Sequence, residues 1–299
     1  MMTDSTNTLS KLNSEVRTSR PLSSEQVAKY HEDGFIIVPG FFDLEEIEPV
    51  QKACEEDPTI KGAETNFADS KGHSNQLAYW TELGNSWLGV IPRLARMIDA
   101  VELLLGGKEC YHWHSKVVNK KPNSPGFIEW HQGYGSWYYD TCLFPDFVSA
   151  FIAVDENTRE NGCVKIVKKS HLLGRIDHVL LGEAFNADPV RMEKILEKLE
   201  IFHAEMKPGD TILMHANTIH CSGANLTNRS RTNIVCHYNS ASNEPVDLKN
   251  QEHHQYKPLK KLPDSWVLDG KYNSVFDTQE FVQPGESYGS LISREGMNK

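Results

Sequence analysis

Between residues 109 and 240 the chain is a succession of short β-rich runs, at 110–118, 127–131, 147–154, 163–167, 211–214 and 232–238. The turn pairs Pro122-Asn123, Pro125-Gly126, Asn161-Gly162 and Pro208-Gly209 break them apart. Many strands at irregular spacing, with one helical insertion at 189–199, leave few architectures open: a sandwich or a barrel. Ahead of this region Ser23-Ser24-Glu25-Gln26 reads as a capping box opening a short helix that Gly34 stops. A β-rich run at 35–38 follows, and Asp43 caps a second helix to about residue 56. Leu94, Met97, Ile98, Val101 and Leu105 then form a stripe at helical spacing that ends at Gly106-Gly107. The expected fold class is mainly β with flanking helices. Residues 1–20, rich in Ser, Thr and Asn, read as a disordered tail, and 21–299 as one domain whose last part, from about residue 244, wraps the outside as polar loops.

Charge and composition narrow the function. With 31 basic against 41 acidic residues the formal charge is −10, which repels a phosphate backbone, so no nucleic-acid partner is expected. No apolar run approaches the ~18 residues of a membrane-spanning helix, so no membrane partner is expected either. The six cysteines form no C-x-x-C pair and read as reduced, packed thiols in a cytoplasmic setting. A small molecule is the expected partner. Oligomeric state has no signature in the sequence.

Two of the 13 histidines stand where a β-rich run meets a loop, in Trp130-His131-Gln132-Gly133 and Thr218-Ile219-His220-Cys221-Ser222-Gly223. Taken alone, each fits an ordinary hydrogen-bonded core histidine as well as a ligand. Their company is more specific. Asp33-Gly34-Phe35, Pro39-Gly40-Phe41-Phe42, His114-Ser115-Lys116, Glu129-Trp130-His131-Gln132, Glu160-Asn161-Gly162-Cys163, Lys169-Ser170-His171, Pro208-Gly209-Asp210, His220 and Tyr238-Asn239 occur in that order. In this series the chain resembles the phytanoyl-CoA dioxygenase family of Fe(II)/2-oxoglutarate-dependent oxygenases. The resemblance implies a double-stranded β-helix, the jelly-roll or cupin-like fold, and an oxidoreductase using Fe(II), 2-oxoglutarate and O2. It also implies that His131 and His220 bind iron and that Arg231 grips the distal carboxylate of 2-oxoglutarate. Ser222 and Trp137 match positions lining the family's site. The chemistry is consistent: non-haem Fe(II) with open positions suits two imidazoles, and a planar guanidinium suits a carboxylate.

At Gly133 the chain departs from the family, which places its metal-binding aspartate two residues after the first histidine. The related iron/2-oxoglutarate halogenases carry glycine or alanine there, with chloride or bromide in the vacated position. The halide preserves the charge balance that the lost carboxylate gave. Gly133 therefore points to halogenation of an unactivated C–H bond in a small metabolite. The alternatives are a hydroxylase whose aspartate has been replaced by Gly133, a non-catalytic ligand-binding homologue, or a carboxylate supplied by Asp140, Asp146 or Asp155.

Tyr134, Trp137 and Tyr138, with Tyr139, follow His131 closely and are expected to form an aromatic wall over the substrate, plain packing being the alternative. Lys116 shares a β-rich run with His112 and His114, which alternate to one face, and is expected to meet an anionic substrate or co-substrate group. His171 reads as a turn residue, and His253-His254 as solvated.

Overall fold

The computed structural model describes residues 22–56, 62–249 and 254–282; the tail expected at 1–20 lies outside them. Helix α1 (Ser24–Asp33) starts where Ser23 Oγ accepts the Gln26 N–H and Gln26 Oε1 accepts the Ser23 N–H. It stops at Gly34, φ +86°, where a Cβ would run into His171 and Thr218, so only glycine closes this corner. That corner ties three separated segments together. Gly34 O accepts from Thr218 Oγ1 and from His215 N, and Asp33 O accepts from Lys169 N. Helix α2 (Leu44–Glu56) follows, then α3 (Trp87–Val90) and α4 (Ala95–Leu104), the last carrying the stripe with Met97, Ile98 and Val101 buried.

Thirteen strands are described: β1 (Phe35–Val38), β2 (Thr65–Ala68), β3 (Ser74–Trp80), β4 (Cys110–Lys120), β5 (Ile128–His131), β6 (Phe147–Ala153), β7 (Val164–Val167), β8 (His178–Leu181), β9 (Ala184–Ala187), β10 (Ile201–Ala204), β11 (Thr211–His215), β12 (His220–Ser222) and β13 (Arg231–Ser240). They form a seven-stranded sheet in the order β1-β11-β6-β13-β4-β3-β2, a four-stranded sheet in the order β10-β7-β12-β5, and the hairpin β8-β9. Two antiparallel sheets wound face to face in this way are a double-stranded β-helix, the expected jelly roll.

Strand β13 is central and buried along its whole length, because its two faces are covered by different layers. Ile234, Cys236 and Tyr238 point outward into a core shared with Met97, Ile98 and Val101 of α4. Val235 points inward, into the core between the sheets with Phe151, Val164 and Ile166. Each such buried aliphatic side chain contributes about 1.5–3 kcal/mol relative to exposure. The remaining inward residues of β13 are polar, and they face a cavity.

The segment after residue 244 does more than wrap the surface. Leu262 bridges Leu94 and exchanges backbone hydrogen bonds with Arg93 and Ala95, while Phe276 and Val267 enter the outer core. His254, expected in solvent, is 1% exposed and stacks on Trp113 with ring centroids 3.6 Å apart. A flat imidazole against an indole removes apolar surface from water, which a reading of local polarity does not register. His253 lies outside the described residues. All six cysteines are free and buried. Among the described residues no helix is long and apolar enough to cross a membrane.

Candidate active site

The histidine pair is produced by strand register. His131 ends β5, His220 begins β12, and the two are Cα partners across that antiparallel pair. Their rings lie 4.2 Å apart between centroids. Each Nδ1 sits against a backbone carbonyl two residues earlier: His131 Nδ1 at 2.8 Å from Glu129 O and His220 Nδ1 at 3.0 Å from Thr218 O. Since a carbonyl only accepts, Nδ1 carries the proton and Nε2 keeps its lone pair. This is the tautomer a metal needs. Burial pulls the His131 imidazole well below its ordinary value and that of His220 down to about 4, so both rings are neutral near pH 7.

The backbone leaving His131 is pinned by a buried amide. Gln132 Nε2 donates to Asn217 O at 2.6 Å and to Gly174 O at 2.8 Å, and its Oε1 accepts from Ile176 N at 2.9 Å. Its own N–H donates to His178 Nε2 at 3.0 Å. The residue before the short helix α5 (Gly133–Trp137) is thereby held to the two loops that flank it.

Gly133 offers no side-chain ligand atom, and among the described residues no carboxylate takes over. Among the described residues no three or more His, Cys, Asp or Glu side chains come together in a metal-holding cluster. Asp155 is committed to Thr232 N at 2.8 Å, and Asp146 pairs with Lys108. Asp140 is buried at 2% exposure, in no cluster with the histidines. Gly133 is close-packed instead: a Cβ there would stand 2.7 Å from Cη2 of Trp137.

Beside the histidines lies one continuous cavity, lined by Gly133, Trp137, Ser222, Arg231 and Lys116 of the expected residues. Arg231 is 1% exposed; Nη2 donates to Gly162 O at 3.1 Å and Nε has no partner. Burial lowers its guanidinium to about 10, still charged near neutrality. Ser222 Oγ is likewise buried without a partner. Two orphaned polar groups and a buried cation in one wall fit a dicarboxylate co-substrate, whose oxygens would satisfy them.

The expected aromatic wall is reduced to Trp137. Tyr134 is buried away from the cavity, its hydroxyl donating to Cys142 O at 3.0 Å in an aromatic cluster with Tyr111 and Phe147. Tyr138 is 50% exposed and covers the Arg175 guanidinium. Helical geometry explains both: within one turn, only the residue four positions on leans back over Gly133. His112 and His114 do not share a face either, since the register with β13 slips between His237 and Tyr238. This bulge sends His112 to the outer face, against Thr81 O and Ser115 Oγ. His171, as expected of a turn residue, lies in a single helical turn with Nε2 at 3.0 Å from His31 O.

Lys120 is the site-adjacent residue that the sequence reading passed over. It is the Cα partner of Arg231, 3% exposed, and its ammonium donates to Gly126 O at 2.8 Å. Burial, with Arg231 nearby, lowers it to about 7. The signal was present: His114, Lys116 and Lys120 of β4 and Arg231, Asn233 and His237 of β13 put polar residues on an inner face where Val118 and Val235 alone are apolar.

A jelly roll with paired imidazoles and a buried arginine on facing strands belongs to the iron/2-oxoglutarate class of oxygenases. Residues 30–233 match the phytanoyl-CoA dioxygenase (PhyH) family, and the chain is a member of that family of oxidoreductases. It is 26% identical over 249 residues to the ectoine dioxygenase of Sphingopyxis alaskensis, covering 78% of this chain and 80% of that protein. The ectoine dioxygenase of Halomonas elongata is 25% identical over 267 residues, covering 84% and 80%. Among solved structures, EctD from S. alaskensis in its apoform aligns with a TM-score of 0.66 at 23% identity, covering 82% of this chain and 89% of that one. The epimerase SnoN, in complex with Fe3+, alpha ketoglutarate and nogalamycin RO, aligns with a TM-score of 0.62 at 18% identity, covering 88% and 95%.

Proposed function

We propose that this PhyH-family oxygenase is a 2-oxoglutarate-dependent halogenase, with His131 and His220 holding Fe(II) and chloride or bromide taking the position that Gly133 leaves open. The observation that carries this is the cross-strand imidazole pair with no carboxylate beside it among the described residues. When bound, iron with 2-oxoglutarate and O2 supplies an oxidant able to remove hydrogen from an unactivated C–H bond, and the halide supplies the atom delivered. The protein's part is placement. Thr218 O and Glu129 O fix which imidazole nitrogen is free. Arg231 and Ser222 offer unsatisfied polar groups for the distal carboxylate of 2-oxoglutarate, and Gln132 keeps the peptide at Gly133 from shifting.

The packing of Trp137 on Gly133 supports a native glycine. An aspartate at 133 would have to displace a ring buried against Phe147 and His237, at centroid distances of 4.6 and 5.0 Å. The dioxygenase names of the relatives favour a second reading, hydroxylation at the same centre without halide. Mass spectrometry separates the two. Incubated with a metabolite extract, Fe(II) and 2-oxoglutarate, the protein is expected to yield products with the chlorine isotope pattern in chloride and the bromine pattern in bromide. Products that gain only oxygen in both buffers would establish hydroxylation.

A further inference from the structure

The cavity has two polar ends, and the proposed co-substrate uses one of them. Arg231, Asn233, Val235 and His237 are the inward residues of β13 and all line the cavity. At about 3.4 Å per residue, Arg231 and His237 stand about 20 Å apart along the strand, too far for a five-carbon dicarboxylate held at Arg231 to reach. The imidazole pair lies between the two ends. Phe151, the cross-strand partner of Val235, sits 5.6 Å from the ring of His220 and 6.4 Å from that of His237.

At the far end His114 and His237 are Cα partners with ring centroids 4.5 Å apart, 3% and 4% exposed. His237 Nδ1 engages Ser149 Oγ at 2.7 Å, which leaves Nε2 without a partner, and His114 Nδ1 has none. Lys116 is the next inward residue on β4. Among the described residues it makes no ion pair, and its charge acts on His114, His131, His220 and His237 alike. Burial lowers it to about 8, so it stays largely cationic near neutrality. No cavity-lining residue among those described is Asp or Glu. Two buried imidazole nitrogens without partners are costly unless something with acceptor oxygens joins them, and the half-buried Lys116 ammonium beside them lines a wall that offers it no carboxylate.

We propose that the end of the cavity formed by His114, Lys116 and His237 receives an anionic group, a carboxylate or a phosphate, of the substrate to be functionalised. Lys116 is the counter-ion and the two imidazoles complete its hydrogen bonding. Tyr79, 4.7 Å from the His114 ring, and Trp137 flank the substrate's body. The substrate is thereby tethered beyond the imidazole pair, opposite Arg231. This rests on the reading of Arg231 as the 2-oxoglutarate anchor.

Calorimetric titration under anaerobic conditions tests it without turnover. The full chain, loaded with Fe(II) and saturated with 2-oxoglutarate so that Arg231 is occupied, is titrated with benzoate, phenyl phosphate, benzyl alcohol and benzylamine. At least one of the two anions is expected to bind ten-fold or more tightly than the alcohol and the amine, the better one identifying carboxylate or phosphate. Lys116→Met is expected to weaken that anion ten-fold or more, and His237→Gln several-fold, in protein that melts as the parent does. Absence of binding by either anion, equal binding of the alcohol or amine, or an unchanged affinity in Lys116→Met would overturn the proposal. Competitive displacement of the bound anion by chloride would also overturn it, because Lys116 would then serve the halide. The separate titration with 2-oxoglutarate reports independently on Arg231: if it fails to saturate, the underlying reading falls, whatever the probes do.

Discussion

Trp137 closes over Gly133: its Cη2 lies 2.7 Å from where a Cβ on the glycine would stand, and Cζ3 lies 2.8 Å away. The two residues are one helical turn apart, so the indole leans back along α5 onto the backbone that follows His131. Gly133 is thus required for space, not for an unusual dihedral angle.

Adding one carbon there overpacks the site. Gly133→Ala is expected to cost roughly 1–3 kcal/mol, seen as a lower urea midpoint. Trp137→Phe shortens the ring, and in that background the alanine is expected to cost clearly less. Losses that simply add would contradict the contact.

Arg231→Met leaves the cavity wall without its buried cation. Truncating one member of a buried charge pair costs about 2–4 kcal/mol, so anaerobic affinity for 2-oxoglutarate is expected to fall by roughly thirty-fold to several hundred-fold. Iron content should be unchanged. Affinity within two-fold of the parent would remove Arg231 from its assigned role.

Burial holds His178, His215 and His220 at about 4 and His112 at about 3, against an ordinary value near 6.5. Between those values the unfolded chain binds more protons than the folded one. Stability is therefore full above about pH 6.5 and is lost as the pH falls toward 4, at about 1.4 kcal/mol per pH unit for each such ring. Urea midpoints of the metal-free protein at pH 7.5, 6.0 and 5.0 are expected to be high, slightly lower and much lower. Equal midpoints at 7.5 and 5.0 would contradict the burial of these imidazoles.

How much of this was legible in the sequence depended on how local the signal was. Ser23, Gln26 and Gly34 mark their helix by contacts within a few residues, and its limits follow from them. The long central runs that became β4, β6 and β13 also announced themselves. By contrast β2, the β8-β9 hairpin, β10 and β12 are short and mixed in polarity, and β3, though as long as β6, opens on Ser74, Asn75 and Gln76; sheet neighbours supply their hydrogen bonds. His131 and His220 were singled out through motif order, but their direct pairing is a matter of register that no local pattern encodes. The departures have two causes. The bulge beside His112 and the stacking of His254 on Trp113 are set by partners distant in the chain, whereas the outward turn of Tyr138 follows from its place at the end of α5.

Gln132→Ala removes three hydrogen bonds from a fully buried amide and strands Ile176 N–H and two carbonyls. A loss of about 2–4 kcal/mol is expected. Because this amide fixes the peptide beside His131, iron affinity should drop as well. Normal iron binding in the destabilised variant would mean that Gln132 supports the fold alone.

The central claim is an iron centre held by two imidazoles with a halide bonded directly to the metal. X-ray absorption at the iron edge, on anaerobic protein with Fe(II), 2-oxoglutarate and bromide, tests it most directly. The expected spectrum contains two imidazoles and a bromine scatterer at bonding distance, and Gly133→Asp loses the bromine. A spectrum of the parent protein with only nitrogen and oxygen around iron, unchanged by bromide, would contradict the account.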